Sequence, residues 1–202
     1  MIRILSFCLL ILSQSAAAQT LLVLGDSLSA GYQMAIEKSW PSLMEPKLAD
    51  SSPIDRVINA SISGDTSGNS LDRFPALLEQ HNPDWVFIEL GANDGLRGFP
   101  PNQIRSNLAK LISLSQENGA NVAIMQIQIP PNYGQRYSKA FADIYPTLSK
   151  DMQIPLIPFF MEKVVLTDGW MMSDGLHPKD IAQPWIAEFV TEQLLPHLNK
   201  QG

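Results

Sequence analysis

Five short runs dense in leucine, isoleucine and valine punctuate the chain, at residues 21–24, 57–60, 85–90, 122–129 and 155–157. Each is apolar at nearly every position rather than at alternate ones, and each closes on Gly, Ser, Asn or Pro. A strand with one wet face alternates, whereas a strand buried on both faces does not, so the runs predict a parallel sheet covered on both sides. The longer segments between them carry a helical period. Ile104, Leu108, Leu111, Ile112 and Ser115 share one face while Arg105, Asn107 and Lys110 share the other, with Pro101 as a start and Gly119 as a stop. A last helix is predicted over residues 179–195 with Ile181, Trp185, Phe189 and Leu194 turned inward. Another is expected to begin at Ser27.

Strands that alternate with helices build right-handed βαβ units, and about five of them make a three-layer α/β/α sandwich. The chain has 202 residues and no Pro/Gly/Ser-rich linker, which fits one domain. In open α/β sheets the site gathers beyond the carboxyl ends of the strands. Ser27, Gly64 and Asn93 each follow one of the first three predicted strands, so the architecture brings them to the same end.

The residue types at that end suggest a chemistry. A serine hydroxyl is a weak nucleophile until a base takes its proton, and the base needs a carboxylate to orient it. Ser27 lies in Leu24-Gly25-Asp26-Ser27-Leu28, and Asp174-Gly175-Leu176-His177-Pro178 supplies one carboxylate and one imidazole across a tight turn. Ser27 alone could be a helix cap, and Asp174 alone a capping turn. The Ser27 and Gly64 N–H groups and the Asn93 amide are candidate donors to an oxyanion, although Gly64 could equally serve a turn and Asn93 an Asx-turn. Asp26 adjoins Ser27 and cannot readily face it, so it is assigned a positioning role. His81 and His197, the other two histidines, are read as surface residues, His197 in a polar C-terminal tail.

The first residues read as a secretory signal. Arg3 gives a positive start, residues 4–12 form the apolar stretch, and Ala16-Ala17-Ala18 precede a cleavage point. Residues 1–18 are therefore expected to be removed and residues 19–202 to form the domain, in the periplasm. The apolar stretch falls short of the ~20 residues that span a bilayer, so no stable membrane anchor is expected. The only cysteine, Cys8, leaves with the signal, which excludes disulfides and a cysteine nucleophile. The formal charge of −6 argues against nucleic-acid partners. No zinc spacing, Gly-x-Gly-x-x-Gly or Walker-type loop is present, so neither a metal nor a cofactor is expected. Asn59-Ala60-Ser61 matches a glycosylation sequon but falls at a predicted buried strand end and is taken as a chance match.

Gly25-Asp26-Ser27-Leu28-Ser29, Gly64 after Ala60-Ser61-Ile62-Ser63, Gly91-Ala92-Asn93-Asp94, and Asp174-Gly175-Leu176-His177-Pro178 resemble, in order and rough spacing, the four blocks of the SGNH (GDSL) hydrolases. Within that family the chain is most like the bacterial multifunctional periplasmic acyl hydrolases, described as thioesterase, lysophospholipase and arylesterase. The resemblance implies a flavodoxin-like sheet in the order 2-1-3-4-5. It implies Ser27 as nucleophile, His177 as general base and acid, Asp174 as its partner, and Ser27, Gly64 and Asn93 as the oxyanion hole. Ala92 stands where close relatives often carry glycine.

The expected substrate is a small acyl ester or thioester, handled by a monomer. Leu96 and Phe99, in a loop that Gly95 and Gly98 would leave free to move, Ile129 and Pro130, and Met171 are candidates to line a groove for it. The same side chains could be ordinary loop packing. A carbohydrate deacetylase of the same family and a non-catalytic binding module are the competing functions.

Overall fold

β1 (Gln19–Gly25), β2 (Ile54–Asn59), β3 (Trp85–Glu89), β4 (Asn121–Met125) and β5 (Leu156–Ile157) form one sheet in the order β2-β1-β3-β4-β5, and every neighbouring pair is parallel. This is a computed structural model, and it describes residues 18–199. The expected signal segment lies, Ala18 apart, outside the described residues.

The runs without alternation occupy the middle of the sheet. Leu21, Leu22, Val23 and Leu24 of β1 and Val86, Phe87 and Ile88 of β3 are wholly buried. Each such side chain contributes about 1.5–3 kcal/mol by leaving water, so these strands dominate the stability of the layer. β2 is an edge strand whose Asp55 and Arg56 are exposed, and it starts three residues before its apolar run. β4 stops at Met125 rather than continuing to residue 129, because Gln126 to Pro130 leave the sheet for the site described below.

Helices cover both faces. α1 (Trp40–Ser51) packs on β2 and against the C-terminal helix, Gln183–Leu198. On the other face lie α2 (Ser67–His81) and, after the short α3 (Ala92–Leu96), α4 (Pro101–Glu117), α5 (Gln135–Ala142) and α6 (Ile144–Met152). α4 buries the five residues that its period predicts. α7 (Met161–Val164) is a single turn, and the C-terminal helix is α8.

Two helix expectations are corrected. Residues 179–182 form a lysine and a 3-10 turn, and α8 begins at Gln183. Its buried ridge is Ile186, Val190, Leu194 and Leu198, while Ile181 is 64% exposed. Trp185 and Phe189 sit at the edge of that ridge, where Trp185 contacts Trp170 at 5.5 Å and Phe189 at 5.2 Å between ring centroids. His197 is in the last turn of α8, not in a tail. The helix expected at Ser27 is one turn only, closed by Ala30 N–H to the Asp26 carbonyl. It goes no further because Gly31 and Gln33 take positive φ values of 77° and 55°.

Candidate active site

Ser27 stands two residues beyond the end of β1, on a turn held by groups other than its own side chain. The Ser29 hydroxyl donates to Glu89 Oε2 at 2.6 Å, Asn59 Nδ2 donates to the Ser29 carbonyl at 2.7 Å, and Trp40 Nε1 donates to the Leu28 carbonyl at 3.1 Å. Asn59, set aside as a sequon match, thus anchors this turn. The Ser27 hydroxyl meets His177 Nε2 at 2.9 Å, and His177 Nδ1 meets Asp174 Oδ2 at 2.7 Å. The remaining oxygen, Asp174 Oδ1, accepts the N–H groups of Leu176 at 2.9 Å and His177 at 3.1 Å. The carboxylate therefore shapes its own turn and orients the ring at once. Those bonds, the Leu176 amide first and the imidazole second, pull its pKa down from 3.8 to about 2. It stays ionised throughout the range in which imidazoles titrate.

Of the candidate donors, Ser27 and Asn93 line one groove, and Gly64 is not among its lining residues. The N–H groups of Ser27 and Gly64 bond to no other group among the described residues. Gly64 has φ of 86°, and a Cβ built on it would meet nothing within 4 Å, so the backbone conformation and not lack of space calls for glycine there. Asn93 does not form an Asx-turn. Its Nδ2 reaches across to Asp26 Oδ2 at 3.1 Å and to the Asp65 carbonyl at 3.0 Å, while the residue also faces the groove beside Ser27. Gly91, the N-cap of α3, has φ of 117°, and a Cβ there would fall 2.2 Å from the Tyr145 hydroxyl. The Tyr145 hydroxyl itself donates to the Leu90 carbonyl at 3.0 Å, just before the helix that carries Asn93. Asp94, next along, accepts the Ser67 N–H at 2.8 Å, which ties α3 to the N-terminus of α2.

Two carboxyls lie beneath this surface. Asp26 is buried, with Oδ1 accepting Leu28 N–H at 3.0 Å and Oδ2 holding Asn93. Burial pushes its pKa up from 3.8 to about 7, against the pull of those two bonds and with the help of Asp94 and Asp65. Glu89 is buried as well, and burial followed by the Asp26 charge holds it well above the ordinary carboxylate range. The sequence expectation of a positioning role for Asp26 did not anticipate Glu89, although a glutamate that closes an otherwise apolar strand is itself a signal.

A carboxyl raised in the folded state binds its proton more tightly there than in the unfolded chain, so stability is greatest below its unfolded value and declines as pH rises through the folded one. Asp26→Asn removes this titration. The unfolding free energy of the variant relative to the parent, from denaturant melts, is expected to improve steadily from about pH 4 to about pH 8. A difference flat in pH would contradict a carboxyl held up by burial.

A groove of about 290 Å³ opens beside Ser27 and His177. Leu96, Ile129 and Pro130 line it as expected from the sequence. Phe99 and Met171 do not: both pack against the core, and Met171 bridges to Pro178 in the hairpin that carries His177. Phe159, Met161, Val165 and Leu176 line it unforeseen, with Gln128 and Glu162 hydrogen-bonded to each other on its wall. The loop after Asn93 is tied down rather than loose. Tyr133 and Tyr137 donate to the Leu96 and Phe99 carbonyls at 2.9 and 2.7 Å, and a Cβ on Gly95 would collide with Ile129 and Phe141.

Comparison with known proteins agrees with this geometry. Residues 23–183 match the family described as the GDSL-like Lipase/Acylhydrolase family. The chain is 62% identical over 202 residues to an arylesterase of Vibrio mimicus, covering 98% of this chain and 100% of that one. It is 50% identical over 193 residues to thioesterase 1/protease 1/lysophospholipase L1 of Escherichia coli K12, covering 96% and 91% respectively. Among solved structures, the psychrotrophic esterase EstA from Pseudoalteromonas sp., inhibited by monoethylphosphonate, superposes with a TM-score of 0.85 at 45% identity, covering 89% of this chain and 98% of that one.

Proposed function

The chain belongs to the GDSL-like lipase and acylhydrolase family, and from that premise we propose that it is a serine esterase that cleaves carboxylic ester and thioester bonds of acyl substrates through an acyl-enzyme on Ser27. The observation that carries the reading is the unbroken relay from Asp174 through His177 to the Ser27 hydroxyl, at 2.7 and 2.9 Å. His177 Nε2 takes the hydroxyl proton as Oγ attacks the acyl carbon. The carbonyl oxygen becomes an oxyanion that the Ser27 and Gly64 N–H groups stabilise together with the Asn93 amide, which turns to it the N–H that otherwise meets the Asp65 carbonyl and keeps the other on Asp26. The tetrahedral adduct collapses, and Nε2 gives the proton to the departing alcohol or thiol. Water then repeats the cycle: Nε2 takes its proton, hydroxide attacks the acyl carbon, and Ser27 leaves with the proton as the carboxylic acid departs.

The groove suits an acyl chain. Its walls are mostly leucine, isoleucine, proline, phenylalanine, methionine and valine side chains, with Asp26, Ser27, Asn93 and His177 as polar groups and the Gln128–Glu162 pair on the wall. Lysophospholipids and aryl esters fit such a channel better than an acetylated sugar, whose hydroxyls would find few partners there. Among the described residues no helix is long and apolar enough to cross a membrane. Export to the periplasm rests on the segment before residue 19, and there an enzyme meets single-chain lipid esters more readily than cytosolic acyl-CoA.

The test is a rate comparison across p-nitrophenyl esters of increasing acyl length, lysophosphatidylcholine, acyl-CoA and acetylated sugars. We expect kcat/KM to rise with acyl length over the short esters, with lysophosphatidylcholine cleaved and the sugars the poorest substrates. Acetylated sugars as the fastest substrates would replace this reading with a deacetylase.

A further inference from the structure

Tyr32 stacks on the imidazole of His177, with ring centroids 4.0 Å apart and 24° between planes. The contact is closer than most aromatic pairs, whose centroids lie 4.5–7 Å apart. The backbone on either side of Tyr32 is unusual. Gly31 has φ of 77° and Gln33 has φ of 55°, the latter a left-handed conformation that a residue with a long side chain rarely adopts. Met34 N–H closes this turn on the Gly31 carbonyl at 3.1 Å, and Gln33 Nε2 donates to the Tyr32 hydroxyl at 3.2 Å. Strained backbone persists where the surroundings over-determine it, and it concentrates at functional sites. Here its result is to lay a phenol flat against the ring that moves the protons.

The two hydrogen bonds of His177 both lie in the plane of its ring, one to Asp174 and one to Ser27. Only the first survives the whole reaction. Once Ser27 is acylated its oxygen is an ester oxygen without a proton to share, and the bond to Nε2 is gone. At that stage the ring must still aim Nε2 at a water molecule. Its backbone is fixed by the Met172 N–H to the His177 carbonyl at 2.8 Å, but that bond does not restrain the ring. Gly175 and Leu176, which line the groove with it, offer the ring no planar surface.

Resting on the esterase reading above, we infer that Tyr32 is a positioning residue for deacylation: its ring face keeps the His177 imidazole in the triad plane while Ser27 carries the acyl group. Acylation, in which the Ser27 hydroxyl itself holds the imidazole, depends on Tyr32 less. The ring, not the hydroxyl, does this, so phenylalanine substitutes and alanine does not.

The experiment is rapid-mixing kinetics with a p-nitrophenyl ester on the parent, Tyr32→Ala and Tyr32→Phe, with thermal melts alongside. Tyr32→Ala is expected to slow steady turnover by about 10–10²-fold, the loss typical of a misaimed catalytic group. The deacylation rate, read from the steady phase that follows an initial burst of one p-nitrophenolate per chain, should fall by that factor while the acylation rate changes less, and Tyr32→Phe should restore deacylation to the parent rate. A Tyr32→Ala protein that turns over at the parent rate, that loses acylation and deacylation equally, or that Tyr32→Phe fails to rescue would overturn the inference. A parent enzyme that forms no acyl-enzyme would instead take down the esterase reading itself, and this inference with it.

Discussion

Ser27→Ala is expected to lower kcat by about 10⁶-fold with the fold unchanged, as loss of the nucleophile does in other serine hydrolases. The size follows from what is lost. Without Oγ no acyl-enzyme can form, and only binding and the oxyanion donors remain to act on water. The fold survives because none of the bonds that hold the turn uses the Ser27 side chain; they run from Ser29 to Glu89, from Asn59 to Ser29 and from Trp40 to Leu28. His177→Ala should cost about as much, and the double variant no more than either single one, since the two groups act as a unit. Steady-state kinetics on the three variants, with circular dichroism as the control for folding, checks both points. Losses that multiply in the double variant would mean that the two residues do not share one proton transfer.

Asp174→Asn is expected to lower kcat by about 10⁴-fold. Here the surrounding hydrogen bonds decide the outcome. Asp174 Oδ1 accepts two backbone N–H groups, from Leu176 and His177. An asparagine must keep its single carbonyl oxygen there, which turns its NH₂ toward His177 Nδ1. That nitrogen then accepts, so the neutral ring carries its proton on Nε2, facing the Ser27 hydroxyl, and cannot take another. The opposite flip would set the NH₂ against two donors. The variant should remain folded and bind substrate with KM little changed. Retention of most of the parent kcat would show that Asp174 only shapes the turn.

Much of this was legible before any coordinates. β1 and β3 announce themselves because strands buried on both faces have no polar positions to interrupt them, and α4 does so because one of its faces meets solvent along its whole length. The proposed nucleophile, base and acid stand out because serine, histidine and aspartate in tight glycine-bearing turns have few structural reasons to occur together. What stayed hidden depends on contacts between distant segments. In α8 the aromatic residues Trp185 and Phe189 look like core, yet they flank a ridge that Ile186 and Val190 form one position later. The single turn after Ser27 has the composition of a helix start, and only the left-handed backbone at Gly31 and Gln33 ends it. Groove residues were half found. Those near Asn93 and at the end of β4 follow from the sheet topology, whereas Phe159, Met161 and Val165 arrive from a loop and a one-turn helix whose placement no local pattern encodes, and Leu176 comes with the His177 turn. Phe99 and Met171 were misread because an apolar side chain in a loop near the site can turn toward the core as easily as toward the substrate.

The buried carboxyls explain a further tension in the fold. Asp26 holds Asn93, and Asn93 is the side-chain donor of the proposed oxyanion hole. The carboxyl that positions it is kept from water at a cost in stability, a common exchange where function needs a group that packing alone would not choose.

The proposed chemistry requires Ser27 to be the one reactive nucleophile, with its proton drawn off by His177. Peptide mapping by mass spectrometry after treatment with a serine-directed alkyl phosphonate tests this directly. One adduct per chain is expected, on Ser27, formed in step with the loss of esterase activity and suppressed in His177→Ala. Activity lost without an adduct on Ser27, or an adduct confined to another residue such as Ser29, would contradict it.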